Sequence, residues 1–138
     1  MKQNKKRRGV DIDDTLFDFI GAYCLFHNLT YKTQIKKEDF NSYNFNEIMG
    51  GTIKEATDSI SAFYNTSFFR KMKPFPDSIE IIQELKKNNE LFIITSRPPS
   101  IKEETFNQIF KYFPGVFSKI IFSDNTMSPV HLELSETR

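Results

Sequence analysis

Leu91-Phe92-Ile93-Ile94-Thr95 is an unbroken apolar run that closes in a hydroxyl residue. Such a run reads as a strand buried on both faces, the pattern of a parallel sheet with helices on either side. The flanking segments supply helices. Asp77 or Ser78 can cap one whose buried stripe is Ile79, Ile82 and Leu85, with Lys86-Lys87 at the negative end of the dipole and Asn88-Asn89 to stop it. Ser100-Ile101-Lys102-Glu103 has the spacing of a capping box, and Phe106, Ile109, Phe110 and Phe113 then face inward as far as Pro114-Gly115. Lys119 to Phe122 supplies another short strand. Helix, strand, helix and strand in this order make an α/β plan.

A further strand is expected near the N-terminus, where Gly9 to Phe19 reads Gly-Val-Asp-Ile-Asp-Asp-Thr-Leu-Phe-Asp-Phe. If Val10 to Ile12 is extended, alternation puts Asp11 and Asp13 on the same side of the strand end. Two carboxylates there repel unless a cation or a shared proton relieves them, and Mg²⁺ held by oxygen ligands is the usual solution. Phosphoryl transfer fits this spacing. Asp11 would attack phosphorus to give an aspartyl-phosphate, Asp13 would act as acid and base, and Thr15 would hold Asp13 through its hydroxyl. The same residues also suit an acidic turn that caps a helix. Ligands of open α/β sheets gather at the carboxyl ends of the strands, so Thr95-Ser96-Arg97-Pro98 should open into the same crevice. Thr95, Ser96 and nearby backbone N–H groups can bind phosphate oxygens there without adding negative charge.

Between these strands lies a long helical insert. Leu16 to Asn28 has the spacing of a largely buried helix, weakened by Gly21. A polar stretch from Thr30 to Asn46 follows, from which Phe40, Tyr43 and Phe45 stand out. Thr52-Ile53-Lys54-Glu55 is a capping box that should start a second helix, with Ile53, Ala56, Ile60, Phe63 and Tyr64 on one face. Ser67 to Met72 adds a further turn before Pro74-Phe75-Pro76 ends the region. About 60 residues from Leu16 to Pro74 far exceed an ordinary connection.

Composition excludes several classes. A chain of 138 residues suits one domain, and a net charge of +1 favours neither a nucleic acid polymer nor a membrane surface as partner. The local cluster Lys2, Lys5, Lys6, Arg7 and Arg8 reads as a solvated leader to the first strand. No apolar segment approaches the roughly 20 residues of a membrane span, and the N-terminus lacks the apolar core of a secretion signal, so a cytoplasmic protein is expected. Cys24 is the only cysteine and reads as a buried, inert thiol.

Val-Asp-Ile-Asp-Asp-Thr-Leu resembles the first signature, D-x-D-x-T-L, of the haloacid dehalogenase superfamily, and Thr95 at the end of an apolar strand matches the second. Phe40, Ser42-Tyr43-Asn44-Phe45, Phe63-Tyr64, Phe68-Phe69, Pro74-Phe75-Pro76 and Phe92 to Pro98 narrow the likeness to the 5'(3')-deoxyribonucleotidases and their bacterial relatives, from about Arg7 to Phe122. The resemblance implies a three-layer Rossmann-like parallel sheet built from residues 1–15 and 74–138, with residues 16–73 inserted after the first strand as a helical cap. It implies Mg²⁺-dependent hydrolysis of a (deoxy)ribonucleoside monophosphate through phospho-Asp11. Asp11 and Asp13 would hold the metal, Thr95, Ser96 and Lys102 the phosphate, and Phe19, Tyr43 and Phe45 the base.

The family also uses a lysine and an acidic pair after a later strand. Lys102 and Lys111 follow Thr95, and Lys102 is preferred because it sits at the helix N-terminus facing the crevice. No such acidic pair follows Phe122: Asp124 reads as a turn residue, His131 as a surface residue, and Val130 to Leu134 as a short edge strand or a tail. The likeness therefore implies missing C-terminal strands and an exposed sheet edge. The alternative is a catalytically inactive, truncated remnant that binds a nucleotide or a protein partner. A phospho-receiver domain shares the phosphorylated Asp, the hydroxyl and the Lys, but has no cap.

Overall fold

The computed structural model describes residues 5–40, 51–123 and 130–133. Tyr43, Phe45 and Asp124 lie outside these. In chain order the elements are β1 (Lys6–Val10), α1 (Phe19–Tyr31), α2 (Ile53–Tyr64), α3 (Ser67–Arg70), α4 (Ser78–Lys86), β2 (Asn89–Thr95), α5 (Lys102–Tyr112), β3 (Phe117–Phe122) and β4 (Val130–Glu133). They form two compact units, Met1–Phe17 with Pro74–Arg138, and Asp18–Lys73.

The first unit is α/β. Its described sheet has the order β1-β2-β3-β4, with β1, β2 and β3 parallel and β4 antiparallel to β3. Val10 pairs with Ile93 and Ile93 with Ile120, which brings the carboxyl ends of β1, β2 and β3 to one edge of the sheet. The basic run Lys6 to Arg8 belongs to β1 rather than to a leader. Arg8 Nε donates to Asn89 Oδ1 at 2.7 Å and Asn89 Nδ2 donates to Leu85 O at 2.7 Å. That exchange draws Asn89, expected as a helix stop, into the start of β2.

Burial along β2 alternates instead of covering both faces. Leu91, Ile93 and Thr95 are buried, whereas Ile94 is 42% exposed. Right-handed crossovers explain the difference: β1 to β2 and β2 to β3 step the same way across the sheet, so α4 and α5 lie on the same face. That face carries the core, with Ile82, Ile109 and Phe113 buried alongside Ile93, Ile120 and Phe122. On the opposite face Phe92 is flanked by the Arg7 guanidinium and the Lys119 ammonium, 5.5 and 5.7 Å from its ring centroid. Gly9 lies beside it in register, where a Cβ would come within 2.9 Å of Ile94 Cδ1.

The second unit is helical and aromatic. Asp18 caps α1 by accepting Gly21 N–H at 3.0 Å, so the helix starts later than Leu16. Phe19, Tyr23 and Phe26 project at helical spacing onto Phe63, with ring centroids 5.2, 5.6 and 5.5 Å from it. Cys24 is buried, as expected. Thr52 and Glu55 form the expected reciprocal capping box at the start of α2. The inward face of α2 is Ala56, Ser59 and Phe63, while Ile53 is 72% exposed. Ser59 takes the core position because its hydroxyl lies 2.6 Å from the buried Tyr23 hydroxyl. Among the described residues no helix is long and apolar enough to cross a membrane.

Candidate active site

The chain leaves the sheet at Asp11, earlier than expected. Ile12 O accepts from the N–H groups of Thr15, Leu16 and Phe17, and Asp14 N donates back to Phe17 O at 2.7 Å. This tight turn requires φ = 61° at Asp14, a left-handed conformation that Asp tolerates better than most residues. Asp11 thus precedes the turn and Asp13 opens it, bridged to Phe17, with the buried Ile12 between them. Phe75 N also donates to Leu16 O at 2.8 Å, and the Ser78 hydroxyl donates to the same carbonyl at 3.3 Å. The turn is thus tied to the start of α4.

Asp13 is held by a residue to which the sequence analysis gave no role. Arg97 Nε donates to Asp13 Oδ2 at 3.0 Å and Nη2 to Oδ1 at 2.8 Å, a two-pronged grip on both oxygens. The Arg97 side chain is 1% exposed and that of Asp13 23%. Arg97 Nη1 is held from α5, by Thr105 Oγ1 at 3.2 Å and Gln108 Oε1 at 2.8 Å. A guanidinium thus sets a positive charge directly against Asp13. Thr15 is exposed, and its hydroxyl makes no hydrogen bond among the described residues.

Thr95 joins the same network. It is 2% exposed, and its Oγ1 accepts the Arg97 backbone N–H at 3.1 Å. Its own hydroxyl proton has no acceptor among the described residues, which leaves a donor at the end of β2. Ser96 is exposed beside it. Asp11 Oδ1 accepts Ile12 N–H at 2.8 Å. Desolvation by its surroundings raises the Asp11 carboxyl above the ordinary carboxylate range; the Ile12 N–H opposes this, Asp13 adds to it, and Arg97 opposes it.

Other expected site residues stand elsewhere. Lys102 is exposed at the first position of α5, because the capping box expected at Ser100 does not form and a 3₁₀ turn, Pro99–Ile101, precedes the helix. Lys111 is exposed, its ammonium 5.4 Å from the Tyr112 ring centroid. Phe19 is 7% exposed in the second unit's aromatic cluster, stacked on Tyr23 and edge-on to Phe63. Sequence reasoning missed Arg97, Thr105 and Gln108. The available signals were an arginine just past a strand end, and two polar residues one helical turn apart between Ile101 and Ile109.

Solved structures share this architecture. A "Putative haloacid dehalogenase-like hydrolase" from Bacteroides fragilis is 16% identical with a TM-score of 0.61, covering 91% of this chain and 66% of that one. A HAD-superfamily hydrolase, subfamily IA, variant 1, from Geobacter sulfurreducens PCA is 17% identical with a TM-score of 0.56, over 91% of this chain and 66% of that one. The fold is that of the haloacid dehalogenase-like hydrolases. Within that class, the family model "5' nucleotidase, deoxy (Pyrimidine), cytosolic type C protein" matches residues 8–127, and the chain belongs to this family. The "Putative nucleotidase" of Bacillus cereus is 30% identical over 128 residues, which are 89% of this chain and 68% of that protein. The "Putative nucleotidase BH1399" of Halalkalibacterium halodurans is 26% identical over 105 residues, and 53% of its length is spanned.

Proposed function

We propose that the chain hydrolyses (deoxy)ribonucleoside monophosphates to nucleoside and phosphate, in a Mg²⁺-dependent reaction through phospho-Asp11. Membership of the nucleotidase family supports the substrate class. The observation that carries the chemistry is the meeting of Asp13 and Thr95 on Arg97, two residues along the chain from Asp11. Asp11 forms a bond to phosphorus as the bond from phosphorus to the nucleoside oxygen breaks, and Asp13 gives that oxygen a proton. Water then attacks phosphorus, Asp13 takes its proton, and the bond to Asp11 breaks to release phosphate. Thr95 donates its hydroxyl to a phosphate oxygen, with Ser96 next to it in the chain and Lys102 as the cation for the phosphate. In this reading residues 16–73 are a cap, and Phe19, Tyr43 and Phe45 contact the base.

The carboxylate of Asp11 is of the type a hard, oxygen-ligated cation takes, whereas both Asp13 oxygens are engaged by Arg97. Asp11 would hold Mg²⁺ directly and Asp13 would act on it through charge. The ion would offset phosphate charge as the bonds exchange. Among the described residues no group of three or more His, Cys, Asp or Glu side chains could hold a metal. A second reading is nucleotide binding without turnover.

Phosphate release from thymidine and deoxyuridine monophosphates, with and without Mg²⁺ and beside Asp11→Asn, decides between them. Metal-dependent release that the substitution abolishes is the expected result. A folded chain that releases no phosphate, yet gains thermal stability from the nucleotide, would establish the second reading instead.

A further inference from the structure

We propose that Arg97 is the positioning residue for Asp13, and that α5 is built to aim it. This rests on the phosphatase reading above, in which Asp13 moves the proton.

Burying a guanidinium is costly unless its donors are well placed. Here the side chain is 1% exposed, and its bonds divide into two kinds. On one side it meets neutral acceptors. The Thr105 hydroxyl gives its proton to Ile101 O at 2.8 Å, so its oxygen is left to accept from Nη1. Gln108 Oε1 accepts from the same nitrogen at 2.8 Å. Thr105 and Gln108 are three apart on α5, share one face, and are 0% and 5% exposed.

On the other side it meets the Asp13 carboxylate, through Nε and Nη2. Thr105 and Gln108 are neutral, so these two anchors hold the guanidinium without competing with Asp13 for its charge. The backbone end is fixed as well, by the N–H to Thr95 Oγ1 at 3.1 Å.

A two-pronged grip fixes the plane of the Asp13 carboxylate, not merely its distance. Proton transfer needs that plane, because the proton must travel along one lone-pair direction toward the leaving oxygen. A lysine keeps the charge and loses the plane. Arg97→Lys therefore separates orientation from electrostatics.

The test uses two substrates that differ in their need for a proton. Deoxyuridine monophosphate releases a poor alkoxide leaving group, whereas 4-nitrophenyl phosphate releases nitrophenolate without general-acid help. Arg97→Lys is expected to lower kcat for the nucleotide about 100-fold, the scale of general-acid catalysis, but kcat for the aryl ester less than about tenfold, with KM little changed for both. Gln108→Met, which removes one anchor and keeps Arg97, should move the ratio in the same direction by less. It also serves if Arg97→Lys does not fold. Equal losses on the two substrates, from either folded variant, would make the pair merely structural and overturn this proposal. No turnover of either ester by the unsubstituted chain would overturn the phosphatase reading and this proposal with it.

Discussion

Asp18 accepts the Gly21 N–H at 3.0 Å across a space in which a Cβ on residue 21 would lie 2.4 Å from the Asp18 carboxylate. The glycine that weakens the helical pattern in the sequence is what admits the cap. Gly21→Ala should therefore be nearly neutral. It gains about 1 kcal/mol of helix propensity and loses a cap worth about the same. The exposed Lys37 partner of Asp18, at 2.9 Å, adds little. In an Asp18→Ala background the cap is already lost, so the same alanine should stabilise by about 1 kcal/mol. A double-mutant cycle by urea denaturation checks this, and equal effects in both backgrounds would show that the residues are uncoupled.

Tyr23 and Ser59 join α1 to α2 inside the aromatic cluster. Ser59 Oγ donates to Ala56 O at 2.8 Å, so the Tyr23 hydroxyl, 2.6 Å away, is the donor between them. Burial raises the Tyr23 hydroxyl above its ordinary range, which keeps it protonated for that role. Tyr23→Phe should cost about 1 to 2 kcal/mol by leaving a buried acceptor short of a partner. A denaturation midpoint unchanged by the substitution would count against this bond.

His27 makes the second unit sensitive to acid. Asn28 Oδ1 accepts from Ile35 N and from the Thr33 hydroxyl, so the Thr33 oxygen is left to accept from His27 Nδ1 at 2.7 Å. Burial lowers the His27 pKa below its ordinary 6.5. The unfolded chain then binds more protons between the two values. Stability is full above the ordinary value and declines as pH falls toward the folded one. Urea midpoints should drop from about pH 7.5 to about pH 5.5, and the part due to His27 should vanish in His27→Gln. An unaltered slope in that variant would place the acid sensitivity elsewhere.

Thr95 separates binding from folding. Thr95→Val keeps the shape and strands the Arg97 N–H, at a cost of about 1 to 3 kcal/mol in stability. It should also raise KM for the nucleotide and weaken inhibition by inorganic phosphate, each about tenfold, the worth of one hydrogen bond to a charged group. Thr95→Ser should retain both. If phosphate inhibits the valine variant as well as the original, the Thr95 hydroxyl does not touch phosphate.

Local features could be read from the chain alone. Apolar runs, glycine and proline breaks and the Thr52–Glu55 box act within a few residues, so the order of strands and helices and the placing of Asp11 and Thr95 at strand ends were legible. The same short-range logic misplaced the start of α1 and the expected cap at Ser100, where turns compete with the helix.

The remaining features depend on contacts between distant segments. Asp13 and Arg97 are 84 positions apart, and no spacing rule joins them until β1 and β2 pair. Ser59 displaced Ile60 from the core because Tyr23, on another helix, needed an acceptor. Phe92 and Ile94 lie on the less covered face because both crossovers carry their helices to the other side. Periodicity reports how apolar a residue is. Which polar groups meet inside, and which apolar ones remain outside, depends on contacts that close only when the chain is folded.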